Sequence, residues 1–133
     1  MKKVAAAFFA LLVINSLALQ RNQDFDLESS ISRGRELYST NCVPCHLENG
    51  EGIEGVYPPL AKSDYMMKNK TRSIQQILYG VNGPIKVNGK KYDGVMPGYD
   101  LSDKEVSDLN YVRNSFSNKG GAILPAEVKM ARK

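Results

Sequence analysis

The stretch CVPCH, residues 42–46, holds both cysteines of a 133-residue chain and its single histidine. Thiols and imidazole gathered within five residues point to one site. Three chemistries use such a cluster: a redox disulfide, a metal centre, or covalent attachment of haem. The rest of the sequence has to choose between them.

A structural zinc ion takes four protein ligands and a catalytic one usually three. Cys42, Cys45 and His46 supply at most three, two of them adjacent, and no second Cys or His cluster exists. A thioredoxin-like dithiol needs C-x-x-C after a strand in a βαβ setting. Here a helical pattern precedes the motif and no parallel-strand pattern is present. A structural disulfide between Cys42 and Cys45 would close only a tiny loop and remove little chain entropy. The haem reading needs no further ligands. Each vinyl group accepts one thiol, the two intervening residues match the vinyl separation, and C-x-x-C-H places a histidine beside the iron.

Upstream, MKKVAAAFFALLVINSLALQ opens with Lys2 and Lys3 and continues in a 16-residue apolar run from Val4 to Leu19, interrupted only by Asn15 and Ser16. That is short of the ~20 residues a spanning helix needs. With Ser16-Leu17-Ala18 at its end, it reads as a signal peptide, residues 1–18, directing export to the periplasm. The alternative is an uncleaved anchor at the membrane face; the absence of a cysteine near residue 18 argues against a lipoprotein. Residues 19–28 read as a linker and 29–133 as one domain, with a core over 29–117 and a C-terminal extension over 118–133. Formal charge is +4, and loss of Lys2 and Lys3 leaves 16 basic against 14 acidic residues. So small an excess gives no reason to expect nucleic acid as a partner.

Periodicity predicts an amphipathic helix over 29–40 with Ile31, Gly34, Leu37 and Tyr38 on one face, and another over 71–79 stopped by Gly80. Gly34 weakens a helix, a cost that close approach of another helix offsets. ENGEGIEG (48–55) and YPPL (57–60) read as loop. IKVNGKKY (85–92) carries Asn88-Gly89, a type I′ hairpin signal. Ser102 and Glu105 form a capping box opening a long helix over 101–116, and Pro125 can start a last helical turn. Four short helices make a modest core, and loops as long as 47–70 need something to pack against. A flat apolar cofactor would supply that centre.

The stretches GRELYSTNCVPCH, YPPLAKSDY, VNGKKYDGVMP and LSDKEVSDLNYVRNSF resemble those of small class I c-type cytochromes, over about residues 29–117. The resemblance implies an all-α cytochrome c fold, four to five short helices around one covalently bound haem c with a small β-hairpin, its terminal helices crossing at Gly34. It implies Cys42 and Cys45 as thioether attachments, His46 as proximal iron ligand, Met96 of the M-P pair as distal ligand, Pro58 as the carbonyl partner of His46, and Leu60 as a residue packed on the haem. Pro97 restrains Met96 to extended geometry, and Met96 is expected on a loop after the hairpin. Met66 and Met67 read as packing. Tyr57 and Tyr65 are expected near the haem edge. Lys62, Lys68, Lys70 and Arg72 are candidate partners of the propionates. Lys86, Lys90 and Lys91 form either a docking patch or protection for an exposed strand.

The function implied is single-electron transfer between redox proteins by a monomer that transforms no substrate. Two alternatives keep the haem. One is a haem subunit of a larger, membrane-associated oxidoreductase. The other is a gas-binding or peroxidatic haem protein, which requires Met96 to be off the iron; the lack of a second histidine counts against peroxidase chemistry.

Overall fold

A computed structural model describes residues 25–132. The expected signal peptide, 1–18, and linker residues 19–24 lie outside them. Within the expected linker, Asp26 already caps a helix, accepting from the Glu28 and Ser29 amides at 3.1 and 3.3 Å. That cap satisfies two of the amides a helix start leaves unpaired, and α1 runs Leu27–Asn41.

The buried stripe of α1 is Ser30, Gly34 and Tyr38, spaced by four. It is narrower and smaller than the face the sequence pattern suggests, because another helix lies almost in contact. A Cβ added to Gly34 would stand 1.7 Å from the Asp108 carbonyl oxygen and 2.9 Å from Tyr111 Cβ. Glycine permits that approach. Three rings then close the crossing: Tyr38, Tyr111 and Phe116 lie with centroids 5.2–5.5 Å apart, within the range of favourable aromatic pairs. Beside them Arg33 grips Asp108 with two bonds of 2.7 and 2.8 Å, and Lys104 adds a third at 3.0 Å.

The helix expected over 101–116 is two helices. The Ser102–Glu105 capping box starts α5, Asp103–Asp108, and α6 is Asn110–Asn114. At their junction the Val112 amide donates to Leu109 O at 3.0 Å, an i→i+3 turn. The break sits where α1 presses on Asp108. Phe116 and Ser117 then take positive φ, 57° and 64°, and end the segment early.

Residues 118–132 pack into the body of the fold. The Asn110 side chain bonds the Ile123 amide and carbonyl at 2.7 and 2.9 Å. Beyond it a Pro125-led helix, α7 (Pro125–Ala131), covers α5 and a preceding helix, α4 (Lys70–Tyr79). Ile74, Leu78, Val106, Ile123, Val128 and Ala131 form one core cluster; an expectation that stops the core at residue 117 misses half of it.

Two short helices fill out the chain: α2, Val43–His46, and α3, Asp64–Lys68. The hairpin is longer than its sequence signal. β1 (Val81–Val87) pairs antiparallel with β2 (Lys90–Met96), from Val87↔Lys90 at the turn to Val81↔Met96 at the base. Asn88 and Gly89 at the turn both have positive φ, 49° and 83°, as type I′ demands. Gly83, Pro84 and Gly94, poor strand formers, hid the rest of the ladder. Asp64 and Asn88 exchange two bonds that fasten the hairpin tip to α3.

Candidate functional site

Cys42 caps α1, and the single turn of α2 begins at once, with Pro44 restraining its start. The His46 amide bonds Cys42 O at 2.8 Å. One helical turn therefore fixes two free thiols and an imidazole relative to each other. Burial pushes the Cys42 thiol up to about 11, with the neighbouring Cys45 adding to it.

His46 is buried, which lowers its proton affinity and favours the neutral ring. Its Nδ1 lies 2.9 Å from Pro58 O. A carbonyl only accepts, so Nδ1 carries the hydrogen and Nε2 keeps its lone pair, the form in which imidazole binds a metal. The loop that delivers Pro58 depends on two glycines. The Leu60 and Ala61 amides both donate to Gly50 O, at 2.7 and 2.8 Å, and Gly52 N donates to His46 O at 3.0 Å. Gly52 has φ +64°, and a Cβ there would be 2.4 Å from Tyr57 O.

Met96 is the last residue of β2, not a loop residue as expected; the hairpin extends to include it. Its backbone is seated against α4 by Gly80, where a Cβ would meet Met96 O at 2.3 Å. Three residues on, Tyr99 N donates to Ile77 O and the Tyr99 hydroxyl to Asn41 O, each 2.9 Å. Met96 is thus tied to the residue preceding Cys42.

Cys42, Cys45, His46, Met96, Pro58 and Leu60 all line one cavity that is partly open to solvent. Its walls are mostly apolar, with Ile77, Val87, Leu109 and Val112 among them. Gly83 and Gly94, paired across the hairpin, also face it. Tyr57 and Tyr65 line it as well. None of Lys62, Lys68, Lys70 and Arg72 does. Lys70 bonds Glu127 and Ala122 O at 2.9 and 2.7 Å, and Arg72 lies over the Tyr65 ring, 3.7 Å from its centroid. Lys90 of the expected basic patch pairs with Glu54. Among the cavity residues that escaped sequence reasoning are Tyr99, in a stretch read only as irregular, and Arg113, hidden inside the last apolar pattern although a cation there is itself a signal.

A neutral imidazole with a free lone pair, two thiols on the same turn and a thioether, opening on a wide apolar space, fit an iron porphyrin. A small, mostly helical chain built around such a site is a c-type haem protein. Residues 31–115 match the family model described as cytochrome c, and the chain belongs to that family. It is 34% identical to a cytochrome c-552 of Thermus thermophilus over 89% of this chain and 74% of that protein. It is 29% identical to the cytochrome c subunit of a quinone alcohol dehydrogenase from Gluconobacter oxydans, over 74% of this chain and 22% of that one. The FixP subunit of a cbb3-type cytochrome c oxidase from Bradyrhizobium diazoefficiens is also 29% identical, over 86% of this chain and 40% of its own length. The cofactor is covalently bound haem c, with its iron.

Proposed function

We propose that this chain is an exported monohaem electron carrier. Cys42 and Cys45 would hold the haem through thioethers, and His46 and Met96 would supply ligands to its iron. The observation that carries this reading is that one turn of helix and the base of one hairpin bring these four side chains to the same apolar cavity. When bound, the haem iron supplies one-electron exchange between its ferric and ferrous states.

The chain's own residues set the conditions for that exchange. Pro58 O fixes the His46 tautomer and orients the ring. The Met96 thioether, a soft and weak donor, favours ferrous iron and closes the site to exogenous ligands. Apolar walls exclude water. Val56 and Val95, exposed at the cavity's rim, leave its edge accessible to a redox protein. The role proposed is electron transfer and not catalysis. The N-terminal pattern of residues 1–18 supports export to the periplasm.

A second reading, a permanent subunit of a larger oxidoreductase, is favoured by the likeness to dehydrogenase and oxidase subunits. Purification of the chain from its native membrane and soluble fractions separates the two. Recovery as a free monomer supports the carrier; recovery only within a complex supports the subunit. The pyridine haemochrome spectrum tests the attachment: a two-thioether spectrum is expected, and an ordinary protohaem spectrum contradicts it.

A further inference from the structure

The dipeptide Asn-Gly occurs at Asn49-Gly50, Asn82-Gly83 and Asn88-Gly89. In water such a pair can cyclise, the glycine nitrogen attacking the asparagine side-chain carbonyl, because no glycine side chain restricts the approach. The fold treats the three pairs differently. Gly50 N donates to Leu47 O at 3.2 Å, and Gly50 O accepts from the Leu60 and Ala61 amides. The residue is buried, and a Cβ there would stand 2.8 Å from the Phe116 ring. Gly83 is in mid-ladder, paired with Gly94. Bonded pairs alternate along an antiparallel ladder. Counted from the turn-closing pair Val87↔Lys90, they fall at Ile85↔Tyr92 and Gly83↔Gly94, and Pro84, which has no N–H, falls between them. The Gly83 amide is therefore tied into the sheet. Asn88 and Gly89 are the two central residues of the turn, and both are exposed. Among the described residues no hydrogen bond takes the Gly89 amide, and a Cβ on Gly89 would meet nothing within 4 Å. The Asn88 side-chain carbonyl accepts from Asp64 N at 3.0 Å, which draws electron density from the carbon open to attack.

We propose that Asn88-Gly89 is a site of spontaneous deamidation, selected by the fold from three like sequences. The site does not depend on the haem reading. Solvent base takes the Gly89 amide proton as its nitrogen bonds to Asn88 Cγ. The Cγ–Nδ2 bond then breaks, and Nδ2 leaves as ammonia with a proton from water. A second water opens the resulting five-membered imide. Opening at Cγ gives aspartate. Opening at the main-chain carbonyl carbon gives isoaspartate, with the chain rerouted through the side chain. Both products carry a new carboxylate. It arises beside Asp64, whose Oδ1 accepts from Asn88 N at 2.7 Å. That bond and the one from Asp64 N are what fasten the hairpin tip to α3. Isoaspartate also adds a backbone atom to a turn whose strands are matched to a two-residue connection. The reaction thus loosens the tip of the hairpin, whose Val87 and Tyr92 line the cavity. The other charged residues of the tip are Lys86, Lys90 and Lys91, with Lys90 paired to Glu54.

The test compares the haem-loaded full chain with the same chain unfolded in denaturant, both held for days in mildly alkaline buffer. Peptide mapping by mass spectrometry locates the conversion, and an isoaspartyl methyltransferase assay counts the isoaspartate. In the unfolded chain the three asparagines are expected to convert at similar rates. In the folded chain Asn49 and Asn82 are expected to slow by about tenfold or more, since their glycine amides are freed only by local opening, while Asn88 keeps most of its rate. A more acidic form of the folded chain is expected to accumulate on ion exchange. Asn88→Gly, which suits the positive φ, is expected not to form it. Folded-state conversion led by Asn49 or Asn82 overturns the proposal. So does an Asn88 that stays intact in the folded chain while converting in the unfolded one, or an acidic form that persists undiminished in Asn88→Gly.

Discussion

Pro58 O and His46 Nδ1 lie 2.9 Å apart, and that one bond decides which imidazole nitrogen is free for a metal. Its carbonyl is aimed by a loop that only glycine can fold at residue 52. Gly52→Ala combines a left-handed φ with a backbone clash, a strain of about 1–3 kcal/mol. The expected outcome is a thermal midpoint lower by roughly 5–15 °C, with a shifted reduction potential from a misaligned imidazole. An unchanged midpoint and potential would show that the loop does not position the ring.

The crossing of α1 over α5 and α6 has no room for a methyl group at residue 34. Gly34→Ala must separate the helices or unwind the turn at Leu109, and a loss of about 2–4 kcal/mol is expected. Denaturant unfolding of the haem-loaded protein, followed by far-UV circular dichroism, measures it; a loss under 1 kcal/mol would mean the helices slide apart easily.

Asp108 sits buried beneath that crossing. Burial alone would raise its pKa, but bonds from Arg33 and Lys104 outweigh it and hold the carboxyl below its usual value. A folded-state pKa below the unfolded one adds stability above the unfolded value of about 3.9, and that stability is lost as pH falls through the folded value. Asp108→Asn is therefore expected to cost about 2–3 kcal/mol at pH 7, with the gap to wild type narrowing below about pH 4. Unfolding midpoints across pH check the sign: a gap that widens on acidification would contradict it.

Tyr99 joins the Met96 segment to Asn41 through its hydroxyl. Tyr99→Phe removes one bond, worth about 1 kcal/mol. Loss of methionine from the ferric iron, monitored by the near-infrared band described below, should then occur at a lower temperature. If global unfolding shifts but this band is lost only together with it, the bond is merely structural.

What the sequence disclosed was local. CVPCH, the Ser102–Glu105 capping box and the Asn88-Gly89 turn each depend on neighbours in the chain, and each is where its spacing implied. What escaped it was long-range. The split at Leu109 comes from α1 pressing on Asp108, a residue 74 positions from Gly34. The burial of Ile123 and Val128 depends on Asn110 turning the chain back. The full hairpin was hidden because Gly83, Pro84 and Gly94 carry no strand propensity, though a cavity wall has use for missing side chains. Lysines suggested for the propionates lie elsewhere because charge runs near a site do not reveal which way each side chain points.

The claim on which the account depends most is that Met96 supplies sulfur to the iron of a haem held on the Cys42–His46 turn. The direct measurement is the near-infrared absorption of the ferric, haem-loaded protein alongside Met96→Leu. The account predicts a sulfur-to-iron charge-transfer band in the wild type, its loss in Met96→Leu, and carbon monoxide binding by the reduced variant alone. A band that survives in Met96→Leu, or is missing from a red wild type that binds carbon monoxide readily, would contradict it.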